Sequence, residues 1–256
     1  MNFPLVVGPY TGEMSFEFLT WMPYLRARFG DDMKNLLAIS RGGTHRCYPC
    51  PVINAHDVMS AFEIRQGMIN RKQWRGKFKA LPDDDLDNEI LRRLGLQTDI
   101  HPSRATAMPW SYLKDYLRKI EAPPPSNMLP EKYVAVRFFQ NDWLKSLPPM
   151  EAVEEYANGL PIVVCESDEQ TDNHQPLTPT VPHMRFIFQP FSSIGNMITA
   201  FSNAQLVMAP AGGTSYVSML CGTKTVAFSN GGDDFYYADD IEERLTDFAP
   251  IIRHRF

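Results

Sequence analysis

Short apolar runs bounded by glycine and proline alternate with amphipathic stretches along most of the chain, the pattern of buried parallel strands joined by helices. Residues 3–7 are continuously apolar and run into Gly8-Pro9-Tyr10-Thr11-Gly12, which predicts a strand followed by a flexible turn. Across residues 13–29, Phe16, Leu19, Trp21, Met22, Leu25 and Phe29 recur at roughly helical spacing, with Arg26 and Arg28 near the end where positive charge suits the helix dipole. Pro23 lies inside that pattern and predicts a kink or a break. Residues 35–40 predict a second strand, and Arg41-Gly42-Gly43-Thr44 a second glycine turn.

The periodicity weakens over residues 45–59, which suggest loop with one short strand. It returns in residues 83–94, a charged helix with Leu86, Ile90, Leu91 and Leu94 on one side and Gly95 as its stop, and in residues 110–120, a further amphipathic helix. Pro123-Pro124-Pro125 stiffens and extends the backbone and marks a linker. Beyond it the alternation restarts: strands at 132–138, 161–165, 184–188, 205–208 and 225–228, with helices at 149–158 and 194–202 and another opening near Thr214. The expected architecture is therefore α/β, two Rossmann-like parallel-sheet halves facing across a cleft, with domains at 1–122 and 123–256.

Composition narrows the function classes. The hydrophobic fraction is 44% and the charged fraction 21%, ordinary globular usage. A net charge of -5 carries no nucleic-acid footprint, so any phosphate recognition is local. The first residues lack the basic region of a signal peptide, and no apolar stretch approaches the ~18 residues that span a bilayer. The four cysteines, two of them in predicted core segments, fit a reducing compartment, so the expected location is cytoplasmic with no membrane span.

The most informative stretch is the strand, small-residue turn and helix around Ala211-Gly212-Gly213-Thr214-Ser215. Glycines let a ligand approach the backbone, and the free N–H groups of the following helix suit phosphate or another anion. Asn203-Ala204-Gln205-Leu206-Val207, this turn, and Gly222-Thr223-Lys224-Thr225-Val226-Ala227 follow one another in the order seen in the nucleotide-sugar-binding domain of GT-B glycosyltransferases, and the C-terminal half resembles their heptosyltransferase-like branch. The N-terminal Gly8-Pro9-Tyr10-Thr11-Gly12-Glu13 is similar to the glycine-rich first loop of the same families. The resemblance implies a GT-B-like fold and metal-independent transfer of a sugar from a nucleotide-activated donor to a hydroxyl of a glycan or other acceptor. It implies no cofactor beyond the nucleotide sugar itself.

Residue chemistry distributes the roles. Gly212, Gly213, Thr214 and Ser215 would hold the donor diphosphate, with Arg137 and Lys145 as cations and Glu166 at the ribose or base. Glu13, or Glu17 one turn on, is the candidate base, and Thr11 and Gly12 form the acceptor-side loop. Three alternatives stay open: a nucleotide-sugar epimerase, a hydrolase, or a non-catalytic sugar- or nucleotide-binding module, the last because Ala211 stands where many relatives carry an acid. His45, Cys47, Cys50 and His56 are four possible zinc ligands within twelve residues, whereas the reading above requires no metal.

Overall fold

In the computed structural model the described residues are 4–12, 14–60, 62–64, 66–67, 85–106, 108–141, 143–167, 176–188, 193–231 and 238–256. They divide into two compact units, Met1–Arg118 and Lys119–Phe256, the division falling just ahead of the proline run.

The first unit is built on a three-stranded parallel sheet of β1 (Leu5–Tyr10), β2 (Leu36–Ser40) and β3 (Val52–Asn54), in that order. Leu5 lies opposite Leu36 and Ala38 opposite Val52. On the other edge of β1, Val7 forms an isolated parallel bridge with Ile100. The helical run between β1 and β2 has three parts: α1 (Met14–Phe16), a π-helical segment (Glu17–Trp21) and α2 (Met22–Phe29). The break expected at Pro23 takes this form for a physical reason. Proline has no N–H for the carbonyl one turn back and its ring crowds that carbonyl, so the preceding turn widens and Met22 N–H donates to the Glu17 carbonyl.

Helix α3 (Asp85–Leu94) buries Leu86, Ile90 and Leu91 against Ile39 and Ala55, while Glu89 pairs with Arg92 and Arg93 on its outer side. Gly95 ends it at positive φ. After a short α4 (Ser103–Thr106), the helix expected over 110–120 is cut to α5 (Trp110–Leu113) and one 3-10 turn (Lys114–Tyr116), and Leu117 is extended. Leu113, Leu117 and Ile120 are nonetheless all buried. Core contact overrides helix propensity here, because the apolar spacing is satisfied by an extended chain as well as by a helix.

The second unit holds a six-stranded parallel sheet. Its strands are β4 (Val134–Val136), β6 (Ile162–Ser167), β8 (Met184–Phe188), β9 (Leu206–Pro210), β10 (Thr225–Ser229) and β11 (Ile251–Arg255), in the order β11-β10-β9-β4-β6-β8. The strand expected over 132–138 is interrupted at Arg137, after which β5 (Phe138–Phe139) pairs antiparallel with β7 (Pro176–Leu177). The connecting helices are α6 (Met150–Ala157), α7 (Ser193–Asn203), α8 (Gly213–Leu220) and α9 (Ala238–Leu245). Val134, Val136, Ile162, Val164, Leu206, Met208, Val226 and Phe228 form the core beneath α6, continuous apolar runs being what a parallel sheet covered by helices requires. Helix α9 and strand β11 complete the sheet at a place where the sequence supported no element.

Candidate functional site

The strand order of the second unit marks the edge at which open α/β sheets bind ligands. The chain lays down β4, moves outward through β6 to β8, then returns to the opposite edge of β4 and continues through β9, β10 and β11. The direction of growth reverses between β4 and β9, and the crevice outside their carboxyl ends is where open α/β sheets bind ligands. Arg137 follows β4 and its N–H donates to the Met208 carbonyl of β9 at 3.0 Å. Its guanidinium lies over the Phe139 ring, 5.6 Å from the centroid, and donates to Met197 Sδ at 2.7 Å.

The turn after β9 occupies the other lip. Gly212 has φ 114°, and a Cβ there would come within 3.0 Å of the Trp143 ring, so glycine admits both the turn and the indole. Helix α8 starts at Gly213, which is half-buried, whereas Thr214 and Ser215 are buried. Ser215 donates its hydroxyl to the Gly212 carbonyl at 2.7 Å, inside the turn. At this lip the chain therefore offers backbone N–H groups rather than the Ser215 hydroxyl.

Trp143 belongs to a loop fixed on several sides. Asn141 Oδ1 accepts from the N–H groups of Trp143 and Leu144, and Asn141 Nδ2 donates to the Ala211 carbonyl at 3.1 Å. The Trp143 carbonyl accepts from Asn230 and Gly231, and Asn230 Oδ1 accepts from the Lys145 N–H at 2.8 Å. Lys145 is exposed on this strapped loop. Glu166, at the end of β6, is buried and accepts from Arg185 Nε at 2.8 Å and from the Thr178 hydroxyl. Arg137, the Gly212–Ser215 turn and Glu166 thus lie along one edge, with the carboxylate of Glu166 already engaged by its neighbours.

Equivalent groups line the carboxyl edge of the first unit. Glu17, at the head of the π-helical segment, is 1% exposed. Its Oε1 accepts from Tyr48 at 2.7 Å, Ser40 at 2.9 Å and Thr44 at 3.0 Å. Burial pushes its carboxyl above the ordinary value, while these hydroxyls and the Arg41 charge pull the other way. Tyr48, buried beside that carboxylate, is pushed well above the ordinary phenol range. Thr11 donates its hydroxyl to Asp87 Oδ1 at 2.6 Å in a buried contact, and Gly12 follows it next to the Tyr10 hydroxyl. Glu13 lies outside the described residues.

The four candidate zinc ligands do not converge, and no group of three or more His, Cys, Asp or Glu among the described residues is placed to hold a metal ion. His56 has another setting: a Cβ on Gly42 would sit 2.5 Å from its ring, and burial, then the Arg41 charge, lower its pKa to about 4. A depressed histidine pKa stabilises the fold while the ring is neutral, so this contribution is present above about 6.5, the ordinary value, and is lost as pH falls toward about 4. His56→Gln is expected to flatten the acid limb of the stability curve over that window, measured by urea unfolding at a series of pH values.

No family model and no curated protein matches the sequence. Solved structures do. A glycosyl transferase of family 9 from Veillonella parvula aligns over 99% of this chain and 88% of its own, with a TM-score of 0.51 at 10% identity. The ADP-heptose LPS heptosyltransferase II of E. coli aligns over 97% of this chain and 89% of its own, with a TM-score of 0.50 at 11% identity. The chain has a glycosyltransferase fold. The segment that carried the sequence resemblance is the β9–α8–β10 unit of that fold, with Asn203 ending α7 and Gly222 following α8.

Several residues of these two edges were not singled out from sequence. Ser40, Thr44 and Tyr48 left one signal, a hydroxyl at every fourth position, but no helix was expected there to give that spacing meaning. Trp143, Asn141 and Asn230 left none, because their contacts join segments some seventy to ninety residues apart. No helix among the described residues is long and apolar enough to cross a membrane.

Proposed function

We propose that the chain is a glycosyltransferase that moves a sugar from a nucleotide-activated donor to a hydroxyl of a glycan or another acceptor. The observation that carries this is the reversal of strand order between β4 and β9, flanked by Arg137 and by the glycine turn that opens α8. In this reading the donor diphosphate meets the N–H groups of Gly213 and its neighbours, with the dipole of α8 behind them and the Arg137 fork beside them. Lys145 adds charge at the rim, and Glu166, oriented by Arg185 and Thr178, faces the ribose or base. Protein groups carry the charge of the departing diphosphate, so no metal and no separate cofactor is needed. The acceptor binds at the carboxyl edge of the first unit, near Thr11 and Gly12. Its proton is lost at that edge, where Glu13 and Glu17 are the candidate carboxylates. Glu17, with one oxygen filled by three hydroxyls, also holds the 41–48 loop in shape.

Binding is tested by the thermal shift of the full chain with ADP, UDP and GDP, with and without chelator. One nucleotide is expected to raise the melting temperature regardless of chelator, corresponding to about 2.7 kcal/mol at a hundredfold excess over Kd. Arg137→Ala is expected to weaken that nucleotide about tenfold or more, as the loss of a charged hydrogen bond does. Equal affinity in the variant removes Arg137 from the site. A nucleotide that binds, with no sugar released from its sugar conjugate, points to a non-catalytic module instead.

A further inference from the structure

An aromatic ring stands at the carboxyl edge of the second unit, where a diphosphate alone makes no use of it. The benzo ring of Trp143 rests on Gly212: a Cβ there would meet Cζ3 at 3.0 Å, Cε3 at 3.2 Å and Cη2 at 3.8 Å. Leu144 beside it and Ala211 before the turn are buried, whereas Trp143 is only half-buried. The indole therefore sits at the opening of α8 with part of its surface uncovered.

The backbone is held there from two strands. The Trp143 carbonyl accepts from the N–H groups of Asn230 at 2.9 Å and Gly231 at 3.0 Å, just beyond β10. Asn141 accepts from the Trp143 N–H at 2.9 Å and donates to Ala211, just beyond β9. A loop that leaves the sheet after β4 and β5 is thus carried across to the β9–β10 side. The same loop presents polar groups: Asn230 Nδ2 donates to the Ser146 hydroxyl at 2.6 Å, and Lys145 and Ser146 are exposed.

The order along the edge separates the two ends of a donor. Glu166 ends β6 on one side of β4, whereas the Gly212 turn and the strapped loop lie on the β9 side. A diphosphate held by Arg137 and the N–H groups of α8, with its nucleoside toward Glu166, directs its sugar toward the indole. A pyranose presents an apolar face of C–H groups with partial positive charge, the complement of the negative face of an aromatic ring. An apolar surface with a few polar groups at its border is the usual make-up of a small-ligand site.

We propose that the Trp143 indole is the platform for the donor's sugar ring, an inference that rests on the transferase reading above. The ring face takes the apolar side of the pyranose and leaves its hydroxyls to the polar groups of the loop. Because the loop is already tied to β9 and β10, the indole is oriented before the donor arrives and little ordering cost remains.

The test is calorimetric titration of the full chain with three pairs: UDP and UDP-glucose, ADP and ADP-glucose, GDP and GDP-mannose. Trp143→Ala is expected to weaken the sugar conjugate about tenfold and to leave its parent nucleoside diphosphate within about twofold. Trp143→Phe keeps a ring face and is expected to hold the conjugate within about threefold of the wild type. The conjugate, and not the diphosphate, is expected to change the tryptophan emission of the wild type, and Trp143→Phe to abolish that change. Equal weakening of conjugate and diphosphate marks an indole that only shapes the Gly212 turn and overturns the platform, as does unchanged binding of the conjugate by Trp143→Ala. Binding of a nucleoside diphosphate with none of the conjugates also overturns it, because a ring face accepts each of these pyranoses. A wild-type chain that binds no nucleotide overturns the transferase reading, and the platform with it.

Discussion

Glu17→Ala is expected to destabilise the first unit by about 2–4 kcal/mol, the scale set when buried polar groups lose their acceptor. Three hydroxyls converge on one oxygen of this carboxylate, and Arg41 is buried nearby. Ser40 and Thr44 are 2.6 Å apart and can satisfy each other after the change. Tyr48 loses the acceptor of its buried hydroxyl, so the loss falls mainly on it. Glu17→Gln keeps an acceptor oxygen and separates charge from hydrogen bonding. Because burial raises the Glu17 pKa above 4.5, the folded chain holds this proton at pH values where the unfolded chain has released it. Stability from this group is therefore greatest below about 4.5 and falls as pH rises through the folded value. Relative to Glu17→Gln, the wild type is expected to lose stability as pH rises across that window. Chemical unfolding of both proteins between pH 4 and pH 8 measures it, and parallel curves would remove the raised carboxyl from the account.

Gly8→Ala is expected to cost at least as much, by a different route. Gly8 has φ 111°, and a Cβ there would lie 2.3 Å from the Ile39 carbonyl oxygen, a backbone atom of the neighbouring strand. Neither side of that clash is a flexible side chain. The methyl must push β1 away from β2 and weaken the 2.9 Å bond from Gly8 N–H to Ile100 on the far edge. A loss of about 4 kcal/mol or more, or an insoluble product, is expected. Gly95→Ala is the control, because nothing lies within 4 Å of its added methyl, and its positive φ alone costs about 1–2 kcal/mol. Equal melting temperatures for the two variants would show that the β1–β2 contact yields more easily than the geometry implies.

The two candidate edges were legible to different degrees. The glycine turn at Gly212-Gly213 could be read because its chemistry is local: strand, small residues and helix are adjacent in the chain. The place of Arg137 beside a strand could be read because an apolar run precedes it, although the strand stops one residue earlier. The settings of Ser215 and Glu166 could not. Ser215 donates to Gly212 inside the turn, and Glu166 is engaged by Arg185 and Thr178, partners invisible to any spacing rule.

By itself the sequence determined the α/β alternation, the positions of most second-unit strands and the glycine turn, because burial periodicity, proline and glycine act over a few residues. The tertiary structure decided what depends on residues far apart. It made the strain at Pro23 a π-helical segment, kept residues 117–120 from continuing the α5 helix, added β11 to the sheet and reversed the strand order at β1 and at β4. It also joined Thr11, Asp87, His101 and Ser103, four residues spread over ninety positions. Loop closure between such distant groups is governed by the packing of the whole unit, and no local pattern encodes which of them will meet.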